Sequence, residues 1–142
     1  MIGGESSGGL TVRDHIQGKD GIYAASLLVE MLAVTGKKLS RIYDDILAEY
    51  GSLVMVERDF RFTEQRKADI QKLLLDEKRL PAFADRIEKV SYLDGCKVYF
   101  ADGGWIIARF SGTEPLLRIF CEMENREQAD AACNQMQQFL GV

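Results

Sequence analysis

No long hydrophobic run occurs in the 142 residues of this chain. The nearest approach, residues 22–34, is interrupted by Glu30 and is shorter than the roughly 20 apolar residues that a membrane-spanning helix needs. We therefore expect no membrane partner, and the segment predicts a helix buried inside a protein. A hydrophobic content of 46% together with 28% charged residues is typical of a globular domain and excludes a disordered chain.

The sequence also has no cluster of basic residues. Lysine and arginine number 18 against 22 aspartates and glutamates, which gives a formal charge of −4. This balance argues against a nucleic-acid partner or an acidic membrane surface. A small anion is not excluded, because two or three well-placed cations are enough to bind one.

Cysteine and histidine are scarce. The three cysteines, Cys96, Cys121 and Cys133, are odd in number and have no metal-binding spacing. Since no signal peptide is evident, we expect reduced thiols, a cytoplasmic protein and three cysteines that serve only in packing. The lone His15 could act as an acid or base, but a surface or loop-packing role is the alternative that we favour.

Hydrophobic periodicity divides the chain in two. Residues 1–50 carry two helical patterns, the first capped by Asp20 and ended by Gly36 and the second capped by Ser40, and they predict the helical tail of an α/β domain. Residues 51–142 predict an α+β domain, an antiparallel sheet with two helices on one face. The predicted strands are 53–61, 89–93, 97–101, 105–110 and 116–123, and the predicted helices are 63–78, capped by Thr63, and 126–140.

The glycine-rich start has no predicted element in front of it. Gly3 and Gly4, then Gly8 and Gly9, bracket a polar Glu5-Ser6-Ser7. Such a loop holds its shape only when flanking elements anchor it, so we expect that the chain begins inside a domain.

A loop between the last two predicted strands has the composition of a phosphate site. Arg109 and Arg118 flank it, and each guanidinium can hold two phosphate oxygens. Ser111 and Thr113 offer hydroxyl donors, and Gly112 would let the backbone N–H approach an anion. The alternative is a polar hairpin loop in which serine and threonine form only local turns.

The glycine-rich loop could bind a sugar. Glu5 can accept hydrogen bonds from two neighbouring hydroxyls and Ser7 can donate or accept, while the glycines let a sugar ring come close. Taken alone, this loop could equally be a flexible linker.

Together the two loops resemble those of the α-D-phosphohexomutases, the superfamily of phosphoglucomutases, phosphomannomutases and phosphoglucosamine mutases. The resemblance rests on Gly4-Glu5-Ser6-Ser7-Gly8, on Lys19-Asp20-Gly21-Ile22 and on Arg109-Phe110-Ser111-Gly112-Thr113-Glu114-Pro115. It implies that residues 1–50 end the sugar-binding third domain and that residues 51–142 form the phosphate-binding fourth domain.

The resemblance also implies the site. Glu5, Ser7 and Lys19 would bind the sugar, and Arg109, Ser111, Gly112, Thr113 and Arg118 would bind the phosphate that is not transferred. The expected partners are a phosphosugar and the N-terminal domains of the same enzyme, an isomerase that interconverts hexose 1-phosphate and hexose 6-phosphate of glucose or mannose through a bisphosphorylated intermediate. A phosphorylated serine and Mg²⁺ are expected in those N-terminal domains, with no cofactor in this chain.

Two departures from the family pattern matter. Gly9 stands where many phosphomannomutases and phosphoglucosamine mutases have histidine, which disfavours a glucosamine substrate. No phosphoserine motif and no Asp-rich metal loop occurs in the sequence, so we expect no mutase activity from this polypeptide alone. The alternative hypothesis is a stand-alone phosphosugar-binding or interaction module that has lost the chemistry.

Overall fold

The structure is a computed structural model that describes residues 1–5, 8–112 and 114–142. The chain divides into two compact units, Met1–Gly51 and Ser52–Val142. Among the described residues, no helix has both the length and the apolar character needed to span a membrane.

The first unit begins with a small hairpin. Strands β1 (Ile2–Gly4) and β2 (Leu10–Val12) pair antiparallel, with Gly3 opposite Thr11. The expectation that no element precedes the glycine-rich loop is therefore wrong. The hairpin is closed by backbone bonds, since the Glu5 N–H donates to the Gly9 carbonyl at 2.9 Å and the Gly8 N–H donates to the Glu5 carbonyl at 3.0 Å.

Helix α1 (Gly21–Thr35) has both ends where the sequence predicts them. The Asp20 carboxylate accepts from the N–H groups of Ile22 (3.1 Å) and Tyr23 (3.0 Å), which satisfies donors that the first helical turn leaves free. Gly36 ends the helix with a left-handed φ of 62°, and its N–H donates to the Leu32 carbonyl.

Helix α2 (Leu39–Tyr50) starts two residues earlier than predicted. Its N-cap is Lys38, with no side-chain cap, so the prediction of a Ser40 cap is wrong. Neither α1 nor α2 has a buried residue, and Ile22 is 84% exposed although its helix was predicted to be buried. The reason is that, among the described residues, α1 packs mainly against a three-residue strand, too small a surface to cover an apolar helix face.

The second unit is built on a five-stranded antiparallel sheet with the order β3-β7-β6-β5-β4. The strands are β3 (Val54–Arg61), β4 (Ile87–Ser91), β5 (Cys96–Phe100), β6 (Trp105–Phe110) and β7 (Leu116–Met123). Along β7 buried and half-buried residues alternate, so one face of the sheet carries the core and the other meets solvent.

Helices cover the core face. The elements are α3 (Glu64–Gln71), which continues as a π-helical turn (Lys72–Asp76), and α4 (Arg126–Leu140). Thr63 caps α3 as predicted, accepting from the Arg66 N–H. The core joins Ile70 and Leu74 to the buried side of α4 and to the inward-facing strand residues. The predicted α+β class, an antiparallel sheet with two helices on one face, is confirmed.

The three cysteines lie within this core. Cys96, Cys121 and Cys133 are free thiols and fully buried, which confirms their packing role. Burial raises the pKa of the Cys96 thiol to about 11, because a thiolate would lose its hydration there.

An ion pair ties the edge strand β3 to α4. Arg58 donates to Asp130 at 2.8 Å and to the Asn134 side-chain oxygen at 2.7 Å, and it also reaches Gln137. The guanidinium of Arg126, and then that of Arg58, hold the pKa of the Asp130 carboxyl below its ordinary value of 3.8.

This depressed pKa predicts acid sensitivity. A carboxylate that is stabilised in the folded state contributes stability above its unfolded pKa and loses it as pH falls through the folded pKa. We expect the stability of the second unit to drop below about pH 4 and Asp130→Asn to flatten that drop. Urea unfolding followed by the fluorescence of Trp105 at pH 3 to 7 measures it. Asp102→Asn removes the same charge from the turn after β5, and equal acid sensitivity of the two variants would contradict the prediction.

Candidate phosphate-binding and sugar-binding loops

The hairpin between β6 and β7 carries the predicted phosphate loop. Its backbone is closed by two bonds, from the Ser111 N–H to the Leu116 carbonyl and from the Leu116 N–H to the Glu114 carbonyl, each 2.8 Å. The Ser111 amide is therefore engaged within the hairpin. Thr113, also predicted to bind phosphate, lies outside the described residues.

Arg109 and Arg118 are brought side by side. The register of β6 and β7 places them directly opposite one another. Their chain neighbours Ala108, Leu117 and Ile119 are buried in the core, so both arginines project from the other face of the sheet. Two like charges in opposed positions repel, and this pair must be offset by other groups.

Three carboxylates supply the offset. Asp94, in the turn between β4 and β5, lies 2.6 Å from Nη1 of Arg109. Glu114, in the loop itself, lies 3.1 Å from Nη2 of Arg118, and Asp59 on β3 lies 3.9 Å from Nε of the same arginine.

Some donors stay unused in this arrangement. The Nε atoms of Arg109 and Arg118 are buried and have no hydrogen-bond partner among the described residues. The 3.9 Å separation from Asp59 is too long for a hydrogen bond. A buried N–H without a partner costs about 1–3 kcal/mol. Two such donors on facing arginines form a place where an anion would be stabilised.

Gly112 is not required by the fold of the loop. Its backbone is not left-handed, and a Cβ at this position would contact nothing among the described residues within 4 Å. The glycine therefore leaves open space above the loop.

In the first unit, Glu5 and Lys19 form an ion pair, so two of the three predicted sugar-binding residues come together. The stem of Lys19 also fills the space beside Gly9, where a Cβ would lie 2.8 Å from Lys19 Cε. Together with Leu10, Thr11 and Gln17, these residues line an open cavity of about 500 Å³. The third predicted residue, Ser7, lies outside the described residues.

His15 is held by its neighbours. Its Nε2 lies 3.0 Å from Oδ2 of Asp20, and its ring stacks on Tyr23 with centroids 3.9 Å apart. The N–H of Tyr23, and then His15, lower the pKa of the Asp20 carboxyl. These contacts support the loop-packing interpretation of His15.

Comparison with known families accounts for most of the sequence. Residues 1–50 match the model for phosphoglucomutase/phosphomannomutase alpha/beta/alpha domain III, and residues 60–138 match the model for the phosphoglucomutase/phosphomannomutase C-terminal domain. The chain belongs to the phosphoglucomutase/phosphomannomutase family. The resemblance found in the sequence is thereby confirmed for the C-terminal region of the phosphohexomutases.

Relatives within this family carry more than one name. A phosphoglucomutase/phosphomannomutase of Thermococcus kodakarensis is 33% identical over 90% of the chain, and a probable phosphoglucosamine mutase of Methanopyrus kandleri is 35% identical over 91%. The chain covers 26% of each, so it spans about a quarter of the length of these phosphohexomutases.

Solved structures share the fold. A phosphoglucomutase/phosphomannomutase family protein from Burkholderia thailandensis superposes with a TM-score of 0.66 at 23% identity, over 98% of this chain and 27% of that one. The phosphoglucomutase parafusin from Paramecium gives 0.61 at 22% identity, over 96% of this chain and 30% of that one.

Sequence reasoning assigned no role to the carboxylates of this phosphohexomutase loop. Asp94 lies in the turn between β4 and β5 and Asp59 lies on β3, both outside the loop in sequence. Glu114 lies inside the motif itself. The available signal was the excess of positive charge at two facing positions, which a folded protein must balance.

Proposed function

We propose that this chain supplies substrate binding to a phosphohexomutase, and that Arg109, Ser111, Gly112, Thr113 and Arg118 hold the phosphate that is not being transferred. The observation that carries the proposal is the pair of buried Nε–H donors on two arginines facing each other across β6 and β7. Hydrogen bonds between a guanidinium and a phosphate are about twice as strong as neutral ones. A phosphate at this position would satisfy both donors and cancel the repulsion between the arginines.

The first unit would read the sugar. Glu5 and Lys19 are each more than half exposed, so their ion pair is weak and a ligand can replace it. A carboxylate has room to accept from two vicinal hydroxyls, while the ammonium group donates to a third oxygen. Ser7 is proposed as a further contact from its place in the sequence motif.

The phosphoryl chemistry of the enzyme belongs to other parts of the protein in this proposal. Among the described residues no group of three or more histidine, cysteine, aspartate or glutamate side chains is placed to hold a metal ion. We propose that a phosphorylated serine and Mg²⁺ are supplied by the N-terminal domains, that the enzyme is cytoplasmic, and that this chain alone turns over no substrate.

The hexose is proposed to be glucose or mannose. Gly9 argues against glucosamine, because it stands where many phosphoglucosamine mutases have histidine. A glucosamine phosphate is the second candidate, since some relatives are named phosphoglucosamine mutases.

An NMR titration tests the proposal. The chain is titrated with inorganic phosphate, glucose 1-phosphate, glucose 6-phosphate and glucosamine 6-phosphate, and free glucose is the control. We expect the Gly112 amide and the Nε–H signals of Arg109 and Arg118 to shift with every phosphate compound and not with glucose. The signals of Lys19 should shift differently with the glucose phosphates and with glucosamine 6-phosphate. The proposal fails if no shift occurs at millimolar phosphate ester, or if glucose produces the same shifts.

A further inference from the structure

Asp94 contacts Arg109 at one end of the guanidinium. The carboxylate accepts from Nη1 at 2.6 Å, and two-thirds of the aspartate side chain is exposed. A guanidinium presents its N–H donors along two usable edges, one formed by Nη1 and Nη2 and the other by Nε and Nη2. Asp94 engages the Nη1 atom and leaves the Nε–Nη2 edge of Arg109 to other groups.

The position of Asp94 is fixed by the residue that follows it. Gly95 has a φ of +80°, and a Cβ there would lie 2.4 Å from the Ala108 carbonyl oxygen and 2.8 Å from the Arg109 Cβ. The turn therefore packs directly against β6, at the residue that carries the guanidinium. Only glycine permits this approach, so the backbone brings Asp94 to Arg109 independently of the ion pair.

Arg118 is held differently. Glu114 accepts from its Nη2, and Asp59 lies 3.9 Å from its Nε. The carboxylates near Arg118 therefore lie on the side of its Nε and Nη2 atoms, and Nε itself keeps no hydrogen-bond partner among the described residues. The carboxylate near Arg109 lies at Nη1, away from the Nε–Nη2 edge.

We propose that Asp94 is a positioning residue for the phosphate site: it fixes the Arg109 guanidinium so that its Nε–Nη2 edge points toward the anion. The inference rests on the proposed function. Without Asp94, the long arginine side chain would sample several rotamers, and phosphate binding would have to immobilise it.

The direction of the change in phosphate affinity distinguishes a positioning role of Asp94 from an effect of its negative charge alone. Removing a negative charge near an anion site strengthens anion binding if the charge acts only through space. Removing a positioning contact weakens it. The pair is solvent-accessible, so the expected loss for Asp94→Ala is on the order of two- to fivefold in phosphate affinity. Asp94→Asn keeps an oxygen acceptor for Nη1 and should stay within about twofold of the original chain.

The test compares three variants of the full chain, titrated with inorganic phosphate and followed by the Gly112 amide and the Arg109 Nε–H signal. Asp94→Ala and Asp94→Asn are measured beside Asp102→Ala, which removes the same charge from the other Asp-Gly turn. We expect weaker binding and a broadened Arg109 Nε–H signal only in Asp94→Ala. Trp105 fluorescence verifies that each variant is folded. If Asp94→Ala does not fold, the phosphate affinity of Asp94→Asn alone tests the proposal.

The outcomes are distinct. Tighter or unchanged phosphate binding in Asp94→Ala, or tighter binding in Asp94→Asn, overturns the positioning role while leaving the phosphate site in place. A chain whose signals do not respond to phosphate before any substitution overturns the proposed function and, with it, this inference.

Discussion

Arg109→Ala is expected to weaken phosphate binding by about 10- to 100-fold, because charge-assisted hydrogen bonds to a phosphate contribute about 1.5–3 kcal/mol. The substitution removes one of the two buried Nε–H donors and leaves Asp94 beside the site without its cation. The Gly112 amide shift during titration with inorganic phosphate measures the loss. Folding should be preserved, since the exposed pair with Asp94 contributes less than about 1 kcal/mol.

Arg79→Ala is the matched control. It removes the same charge from the second unit, at an exposed arginine whose carboxylate neighbour is Glu77. Its phosphate affinity should equal that of the unsubstituted chain once the salt concentration is held constant. Equal affinities of Arg109→Ala and Arg79→Ala would mean that phosphate responds to net charge alone, and the proposed site would be wrong.

The second large effect concerns stability. We expect Gly95→Ala to lower the unfolding free energy of the second unit by about 3–4 kcal/mol, from a left-handed backbone penalty of about 1–2 kcal/mol and a backbone contact that must shift. The added Cβ would lie 2.4 Å from the Ala108 carbonyl oxygen, which β6 holds in place. Urea unfolding followed by Trp105 fluorescence measures the change, because this single tryptophan lies on β6.

Gly103→Ala measures the left-handed backbone penalty without the close backbone contact. Gly103 is also left-handed, with a φ of +94°, but a Cβ there would have no neighbour within 4 Å among the described residues. It should cost only the backbone penalty of about 1–2 kcal/mol. Similar losses for the two variants would show that the close approach of the Asp94-Gly95 turn to β6 is not as tight as the structure has it.

Elements with strong periodicity could be predicted from the sequence to the residue. Strands β6 and β7 and helices α1 and α4 have the predicted bounds, because alternation and capping residues agree along their whole length. Strand β4 lies two residues earlier than predicted. A register shift between Ile87 and Lys89 interrupts its pairing with β5, and alternation cannot reveal where such a shift falls.

Other features depend on contacts that the sequence does not display. The helix predicted for residues 63–78 changes to a π-helical turn at Lys72, where Leu73, Leu74 and Leu75 offer no single apolar stripe. The β1–β2 hairpin was missed because its glycines have no strand preference and its loop is set by backbone bonds.

The candidate site likewise has residues that could be predicted from the sequence and residues that could not. The role of Arg109 and Arg118 in phosphate binding stays a prediction, but their positions on the two strands that flank the loop could be predicted. Their carboxylate neighbours could not. Asp94 is 15 positions from Arg109 along the chain, and only the packing of the Gly95 turn on β6 brings the two together.

The buried cysteines give the second unit a chemical reporter of its own opening. Every thiol of the chain lies within residues 52–142 and none within residues 1–51. A thiol-directed reagent attacks the thiolate, so Cys96, with its raised pKa and no solvent contact, reacts only after the core is exposed. The rate of alkylation under native conditions therefore reports the transient unfolding of the sheet.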